Sequence, residues 1–473
     1  MKIFTFTLWL LLAGSFNAHA DYKDTKAHPQ KEVAQHVKPI IQLLNSKDRE
    51  KIKHYILKHF SHDWQVLLDE SVNYFLFLAE SYGELSFHSF REYQTKLPNN
   101  EVVAILYSEN MESWVALTLI NDQARITMLD LSPAKSPSNI KAHASISLQQ
   151  AISEVSSFID RTKARASFSG SILVSQRQDI LLQESLGQSS KRYDVKNHNT
   201  TRYNLASVSK LFTGVAIGML VDQKKLKLSD PVSKFLDDDW VDATKSRSMT
   251  IKQLLTHRSG LGNSALNSPE LQSKNKKSLK HTEDFKHFIR QESYLYQPGK
   301  QTQYSNTGVF LAGVIVERIS GRSFQQFVEH HIFSALEMKH SGYFDSTNPI
   351  ENVAIGYERN LNAKTGWTNN TLDIFPIGTP AGGAYASTED MHKFLLALSE
   401  QEIMSSPTSN QIKELYKYPA HPWINHSGLD WGVGTHVDLH ESNGFIVITL
   451  SNITNGAVAV SSKIRSILER VKN

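Results

Sequence analysis

The stretch Asn204-Leu-Ala-Ser207-Val-Ser-Lys210-Leu-Phe-Thr-Gly-Val-Ala-Ile-Gly-Met-Leu220 sets a serine and a lysine at i and i+3. From Leu211 onwards it is apolar almost all round, which marks a helix buried in a core. Positions i and i+3 share one helical face, so Ser207 and Lys210 are expected side by side at the first turn. A serine hydroxyl is a weak nucleophile until a neighbouring base takes its proton. Lysine can be that base where burial and the positive end of a helix dipole lower its pKa. The Ser207 N–H, at a helix start with no intrahelical acceptor, can also donate to a developing oxyanion. The same spacing describes an N-cap serine followed by a solvated lysine. The pair alone leaves both readings open.

Composition bounds the rest of the chemistry. The 473 residues include 51 Lys+Arg, 47 Asp+Glu and no cysteine. Disulfides, Fe–S clusters, thiolate zinc sites and a cysteine nucleophile are therefore excluded. The net charge of +4 (51 − 47) is too balanced to point to nucleic acid or an anionic membrane surface. With 40% hydrophobic and 21% charged residues the chain reads as globular. The histidine pairs His330-His331 and His59-Phe-Ser-His62 complete no metal ligand set. Neither a metal nor another cofactor is implied.

The elements that must position Ser207 and Lys210 can be placed coarsely. Residues 1–20 read as a signal peptide: Lys2, an apolar run Ile3 to Ala13, and Ala18-His19-Ala20 as a small-x-small cleavage site. The run is too short for a membrane anchor, and no later segment is long enough to span a bilayer. An exported protein is expected, soluble after cleavage near Asp21, in the periplasm or the medium if the source is bacterial. Residues 21–140 are expected to form a small α+β domain. Its helices are read from Val33 to Leu44, with Pro39 kinking the helix or delaying its start, and from Asp48 to Phe60. Strands are read over Val102–Tyr107, Trp114–Ile120 and Arg125–Leu131. That order resembles the NTF2-like fold. A linker, Pro133 to Asn139, leads to a second domain, 145–473. This opens with a helix near Leu148–Arg165 and strands Gly170–Ser175 and Asp179–Ser185. It closes with a strand Gly444–Leu450 and a helix from Val458 to Val471. Strands at both ends of a helix-rich middle predict one antiparallel sheet built from distant parts of the chain.

Four blocks give this second domain a resemblance to the serine β-lactamase-related hydrolases, a group spanning class C β-lactamases, D,D-peptidases, D-aminopeptidases and esterases. They are Leu205-Ala-Ser-Val-Ser-Lys210 with Lys225-Leu-Lys-Leu-Ser-Asp230-Pro-Val, then Thr250-Ile-Lys-Gln-Leu-Leu-Thr-His257-Arg-Ser-Gly-Leu261. Pro298-Gly-Lys-Gln-Thr-Gln-Tyr304-Ser-Asn306-Thr-Gly308 follows, and Pro380-Ala-Gly-Gly383 precedes Ser387-Thr-Glu-Asp390-Met. The resemblance implies an α/β fold of the α+β type, with helices on both faces of an antiparallel sheet and a helical subdomain around Ser264–Ser293. The site would lie between them. It also implies that Tyr304 shuttles protons beside Ser207 and Lys210, and that the Asn306 amide holds a substrate carbonyl and the lysine in register. His257 falls in a loop beside the site and is read as structural.

The family completes its site with a K-T-G or H-x-G strand. A literal Lys364-Thr365-Gly366 occurs here, just after Glu358-Arg-Asn-Leu-Asn362, which imitates the E-x-x-L-N loop of class A enzymes. Both lie in a polar stretch without strand alternation and are read as coincidences. Asn425-His426-Ser-Gly428-Leu-Asp-Trp-Gly432 stands in the family's order, ahead of the last strand. Gly428 would let the backbone approach the substrate, and the Leu429 N–H would be the second oxyanion donor. His426 replaces a permanently charged lysine with a group mostly neutral at pH 7. The resemblance thus implies an exported serine hydrolase forming an acyl-enzyme on an ester, an amide or a D-amino-acid-containing peptide. Penicillin-like or D-Ala-D-Ala substrates, and a catalytically silent envelope-binding protein, are the alternatives. A small-molecule or peptide substrate is the implied partner, and the oligomeric state is open.

Overall fold

The computed structural model describes residues 22–472 apart from 94–97, 99, 141–143, 264, 267, 275, 361–362, 418–422 and 455. The expected signal peptide, Ser264, and Leu361 and Asn362 of the class-A-like block lie outside the described residues. By its contacts the chain divides into two compact units. One holds Phe168–Tyr357 and Asn369–Ser461; the other holds the chain up to Ser167, Glu358–Thr368 and the stretch from Ser462.

The unit containing the N-terminal region is α+β. Its antiparallel sheet runs β1 (Tyr22–Thr25), β2 (Leu85–Tyr93), β3 (Glu101–Ser108), β4 (Ser113–Asp122) and β5 (Arg125–Pro133) in sequence order. Its first helices are α1 (Val37–Ser46), α2 (Arg49–His59) and α3 (Leu68–Tyr82). Pro39 delays the helix rather than kinking it: Glu32–His36 is a 3-10 turn and α1 starts at Val37. In the first turn the missing proline N–H has no partner to lose. Strand β2 escaped the sequence reading because its alternation is broken. A bulge falls between Phe87 and Ser89, and Arg91 points inward to pair with Asp24 at 2.9 Å. Helix α4 (Leu148–Ala164) follows, opened by a capping box between Ser147 and Gln150.

The other unit is built on an antiparallel sheet of β6 (Gly170–Gln176), β7 (Asp179–Leu186), β8 (Trp423–Asp430), β9 (Val433–His440) and β10 (Phe445–Ser451). Its order, β8-β9-β10-β6-β7, joins the two ends of the unit through β10 and β6. Every residue of β10 is buried, as its largely apolar run requires. Strand β8 is an edge, so one row of its backbone groups is not used by the sheet.

The remaining helices are α5 (Lys210–Asp222), α6 (Asn306–Ser320), α7 (Thr388–Glu400), α8 (Ser406–Leu415) and α9 (Gly456–Leu468). Helix α5 is buried almost all round, with Phe212 packed edge-on against Phe333 and Phe394 at 5.0 and 4.7 Å between centroids. Its glycines make room for neighbours: a Cβ on Gly214 would stand 2.3 Å from the Tyr416 hydroxyl, and one on Gly218 2.3 Å from Met404 Sδ. The expected helical subdomain consists of short helices, Pro269–Ser273 and Lys286–Arg290, separated by 3-10 turns. This mixed architecture, an antiparallel sheet flanked by helices, is the fold class the sequence implied. Among the described residues no helix is long and apolar enough to cross a membrane.

Candidate active site

The nucleophile candidate lies one turn earlier than a simple helix start would put it. Ala206–Ser209 form a 3-10 turn, and α5 begins at Lys210. Ala206 adopts a left-handed conformation, φ +43°, which an alanine holds only where its surroundings fix it. Its N–H donates to Asn204 Oδ1 at 2.8 Å, and its carbonyl accepts from Ser209 Oγ at 2.7 Å and from the Gly383 N–H at 3.2 Å. The turn therefore presents the Ser207 side chain and its N–H together.

Ser207 Oγ lies 2.8 Å from Lys210 Nζ and 2.6 Å from the Tyr304 hydroxyl. Lys210 is 1% exposed, and its Nζ also donates to the Ala381 carbonyl. Burial drives the lysine pKa well below its ordinary value and the Tyr304 pKa above its own. The two shifts assign different capacities. Burial shifts the amine toward its neutral, proton-accepting form, whereas it holds the phenol in its protonated form, able only to relay a proton.

Tyr304 directly precedes Ser305, the N-cap of α6, whose Oγ accepts from the Gly308 N–H at 2.9 Å. Asn263 clasps this segment, donating to the Tyr304 carbonyl at 2.9 Å and accepting from the Asn306 N–H at 2.5 Å. Asn306 is thus the first residue of α6. Its amide is not among the partners of Lys210, which bonds Ser207 and Ala381 instead. His257 takes the structural place expected of it. Its ring packs against Tyr304, tilted by 36° at 4.5 Å between centroids, and its Nδ1 accepts from the Ser305 N–H at 3.2 Å. Burial, with Lys210 nearby, pushes its pKa down to about 3.

On the opposite side stands β8. Residues two apart on a strand share a face, so His426, Gly428 and Asp430 point one way and Ser427 and Leu429 the other. Gly428 lies hard against the nucleophile turn: a Cβ there would stand 2.3 Å from the Leu205 carbonyl and 2.9 Å from the Ser207 nitrogen. Thr435 Oγ1 ties β9 to the same turn through the Leu205 carbonyl at 2.9 Å. On the other flank, a Cβ on Gly382 would come within 3.7 Å of the Ser207 nitrogen. Burial, then Lys210 and His257, push the His426 pKa to about 3, so the ring is neutral at pH 7. Among the described residues its buried Nε2 has no hydrogen-bond partner.

Three contributors were not legible as site residues. The block Pro380–Gly383 wraps the turn: Pro380 O accepts from Thr213 Oγ1 at 2.7 Å, Ala381 O accepts from Lys210 Nζ, and the Gly383 N–H donates to Ala206 O. Backbone carbonyls leave no mark on residue type. Asn263 is an ordinary loop asparagine in sequence. Tyr416, just after α8, donates to the Lys210 carbonyl at 2.9 Å and stands edge-on to His426. Behind β8 runs a second polar chain. Ser427 Oγ lies 2.7 Å from His436 Nδ1, His436 Nε2 lies 3.2 Å from Asp438 Oδ2, and Ser461 Oγ donates to the same oxygen at 2.7 Å.

The literal Lys364-Thr365-Gly366 is no part of the catalytic-side sheet. It lies in the hairpin between Tyr357–Arg359 and Trp367–Asn369, where Gly366 takes φ +73° and its carbonyl accepts from the Asn360 N–H at 2.9 Å. The segment groups with the N-terminal region, and Arg359 pairs there with Glu80 through two bonds of 2.9 Å.

Ser207, with buried Lys210 and Tyr304, thus clusters beneath an antiparallel edge strand. The profile of the Beta-lactamase family matches residues 155–472, and the chain belongs to that family. It is 28% identical over 263 residues to "Protein flp" of Staphylococcus aureus (strain MW2), covering 55% of this chain and 51% of that protein. The chain thus spans about half the length of the curated relatives it matches first. A penicillin-binding protein from Bacillus halodurans superposes with a TM-score of 0.57 at 28% identity, over 70% of this chain and 99% of that one. A D-amino acid amidase from Ochrobactrum anthropi SV3, complexed with D-phenylalanine, has a TM-score of 0.57 at 21% identity, over 68% and 98%, and shares the fold.

Proposed function

We propose that this protein is an exported serine hydrolase that works by acyl transfer. The observation that carries the reading is the contact of Ser207 Oγ with both a buried lysine amine and a buried phenol, at 2.8 and 2.6 Å. Ser207 Oγ attacks the substrate carbonyl and its proton passes to neutral Lys210. The carbonyl oxygen becomes an oxyanion held by the N–H groups of Ser207 and Leu429. Tyr304 relays the proton to the leaving group, which departs as the acyl-enzyme forms. A water molecule then attacks the ester by the same route in reverse and frees Ser207. Asn306 and the buried Nε2 of His426 are the polar groups assigned to substrate contacts.

The neutral imidazole of His426 favours esters and amides over substrates that need a carboxylate anchor. Penicillin-like and D-Ala-D-Ala substrates are therefore the second choice. The test is a turnover screen across p-nitrophenyl esters, D-amino-acid amides, D-Ala-D-Ala peptides and a chromogenic cephalosporin. Esters or amides are expected to give the highest kcat/KM. A cephalosporin or D-Ala-D-Ala peptide turned over fastest reverses the substrate order. No turnover with any of them, and no acylation by a fluorophosphonate, restores the silent binding protein.

A further inference from the structure

The inference rests on the acyl-transfer reading and names the charge of its substrate. Asp430 follows His426 and Gly428 on the same face of β8, so its carboxyl stands on the nucleophile's side of the strand. Two residues of strand put it roughly 7 Å beyond Gly428, within reach of a group one or two carbons from a carbonyl attacked by Ser207. The side chain is closely surrounded yet keeps some solvent exposure. Its Oδ1 accepts from the Trp431 N–H at 2.8 Å, and among the described residues it forms no ion pair.

The charges around it form a consistent set. Lys276 and Asp373 bear on Asp430 from the helical subdomain and from the loop before Pro380, and Tyr385 does so from beside Asn204. Lys276 is already engaged: its Nζ donates to the Asp373 carbonyl and lies 5.4 Å from the Phe375 ring centroid. The imidazoles of His257 and His426 are neutral, and Lys210 is buried and shifted toward neutrality. Burial raises the Asp430 pKa to about 6, so at pH 7 the group is mostly an anion without a direct counter-ion. A substrate ammonium would supply one, and a substrate carboxylate would be repelled.

We propose that Asp430 is a specificity determinant that selects acyl groups bearing a protonated amine close to the scissile carbonyl. The test compares β-alanine p-nitrophenyl ester with its neutral isostere, p-nitrophenyl butanoate, in wild type, Asp430→Asn and Asp430→Glu. Asparagine keeps the acceptor for the Trp431 N–H and removes only the charge. Wild type is expected to favour the cationic ester in kcat/KM by about tenfold or more. Asp430→Asn should abolish that preference while changing butanoate turnover by no more than about twofold, and Asp430→Glu should restore part of it. The cationic-to-neutral ratio should also rise with pH through about 6 in wild type and stay flat in Asp430→Asn. Equal rates on the two esters in wild type, or equal losses on both in Asp430→Asn, overturn this inference alone. If neither ester is cleaved and a fluorophosphonate does not label the protein, the acyl-transfer reading falls and this inference falls with it.

Discussion

Ser207 and Ser427 both sit in hydrogen-bonded contact with a nitrogen base. Ser207 meets a lysine and a tyrosine at a 3-10 turn; Ser427 meets His436, and through it Asp438, on adjacent strands. By residue type the second set looks like the usual hydrolase triad. Its setting is different. Ser427 lies inside β8, paired directly across from His436, and its chain ends on Ser461 in α9. Ser207 follows a left-handed alanine, and its N–H stands between Gly382 and Gly428. An acyl nucleophile needs a backbone donor beside it, and the turn presents the Ser207 hydroxyl and its N–H together. The Ser427 chain anchors from behind the strand whose other face meets the nucleophile.

That contrast is open to attack by substitution. Ser207→Ala should lower kcat by roughly 10⁴–10⁶, as in other serine hydrolases; turnover close to wild type would move the chemistry elsewhere, with Ser427 the first suspect. Gly428→Ala puts a methyl 2.3 Å from the Leu205 carbonyl and 2.9 Å from the Ser207 nitrogen. It should spoil the pairing of turn and strand and cost about 10²–10³ in kcat, with the fold retained by circular dichroism. Ser427→Ala should cost less than about tenfold in kcat and about 1 kcal/mol in stability for one lost hydrogen bond. A kcat loss matching that of Ser207→Ala would erase the distinction between the two serines.

Two smaller effects follow from the same geometry. His257 and His426 have folded pKa values near 3 against about 6.5 unfolded. Above pH 6.5 neither state is protonated and their burial is fully compatible with folding. Below it the unfolded chain takes up protons that the folded chain refuses, so stability should fall as pH drops from about 6.5 toward 3. Urea midpoints across that range check the sign, and replacing His257 by glutamine should flatten part of the slope. Lys364→Ala should leave kcat within about twofold, because its hairpin groups with the other unit. A large loss there would reinstate the literal K-T-G.

The contact of Ser207 with Lys210 was legible as an i, i+3 spacing at the start of an apolar helix, but the spacing alone left the N-cap reading open and the four family-like blocks tipped the choice. Much of the central sheet was legible too: β10 is a largely apolar run, and β6 beside it and β7 beyond β6 run apolar or alternate, whereas β9 was not read. The small unit was only partly so. Strand β2 hides Ser89 and Arg91 in its interior, so no period of two survives. At the site, the missing pieces are backbone groups and spacers. Ala381 acts through its carbonyl and Gly382 through the absence of a side chain, and neither has a residue-type signature. His426 could be selected over Lys364 because strand context was weighed above literal identity.

The central claim is that Ser207, held by Lys210 and Tyr304, is the residue that becomes acylated. Treating the full chain with a fluorophosphonate and mapping the adduct by peptide mass spectrometry tests it directly. A single adduct on the peptide containing Ser207, absent after Ser207→Ala, is the expected result. An adduct on Ser427, or one that persists in Ser207→Ala, would contradict it.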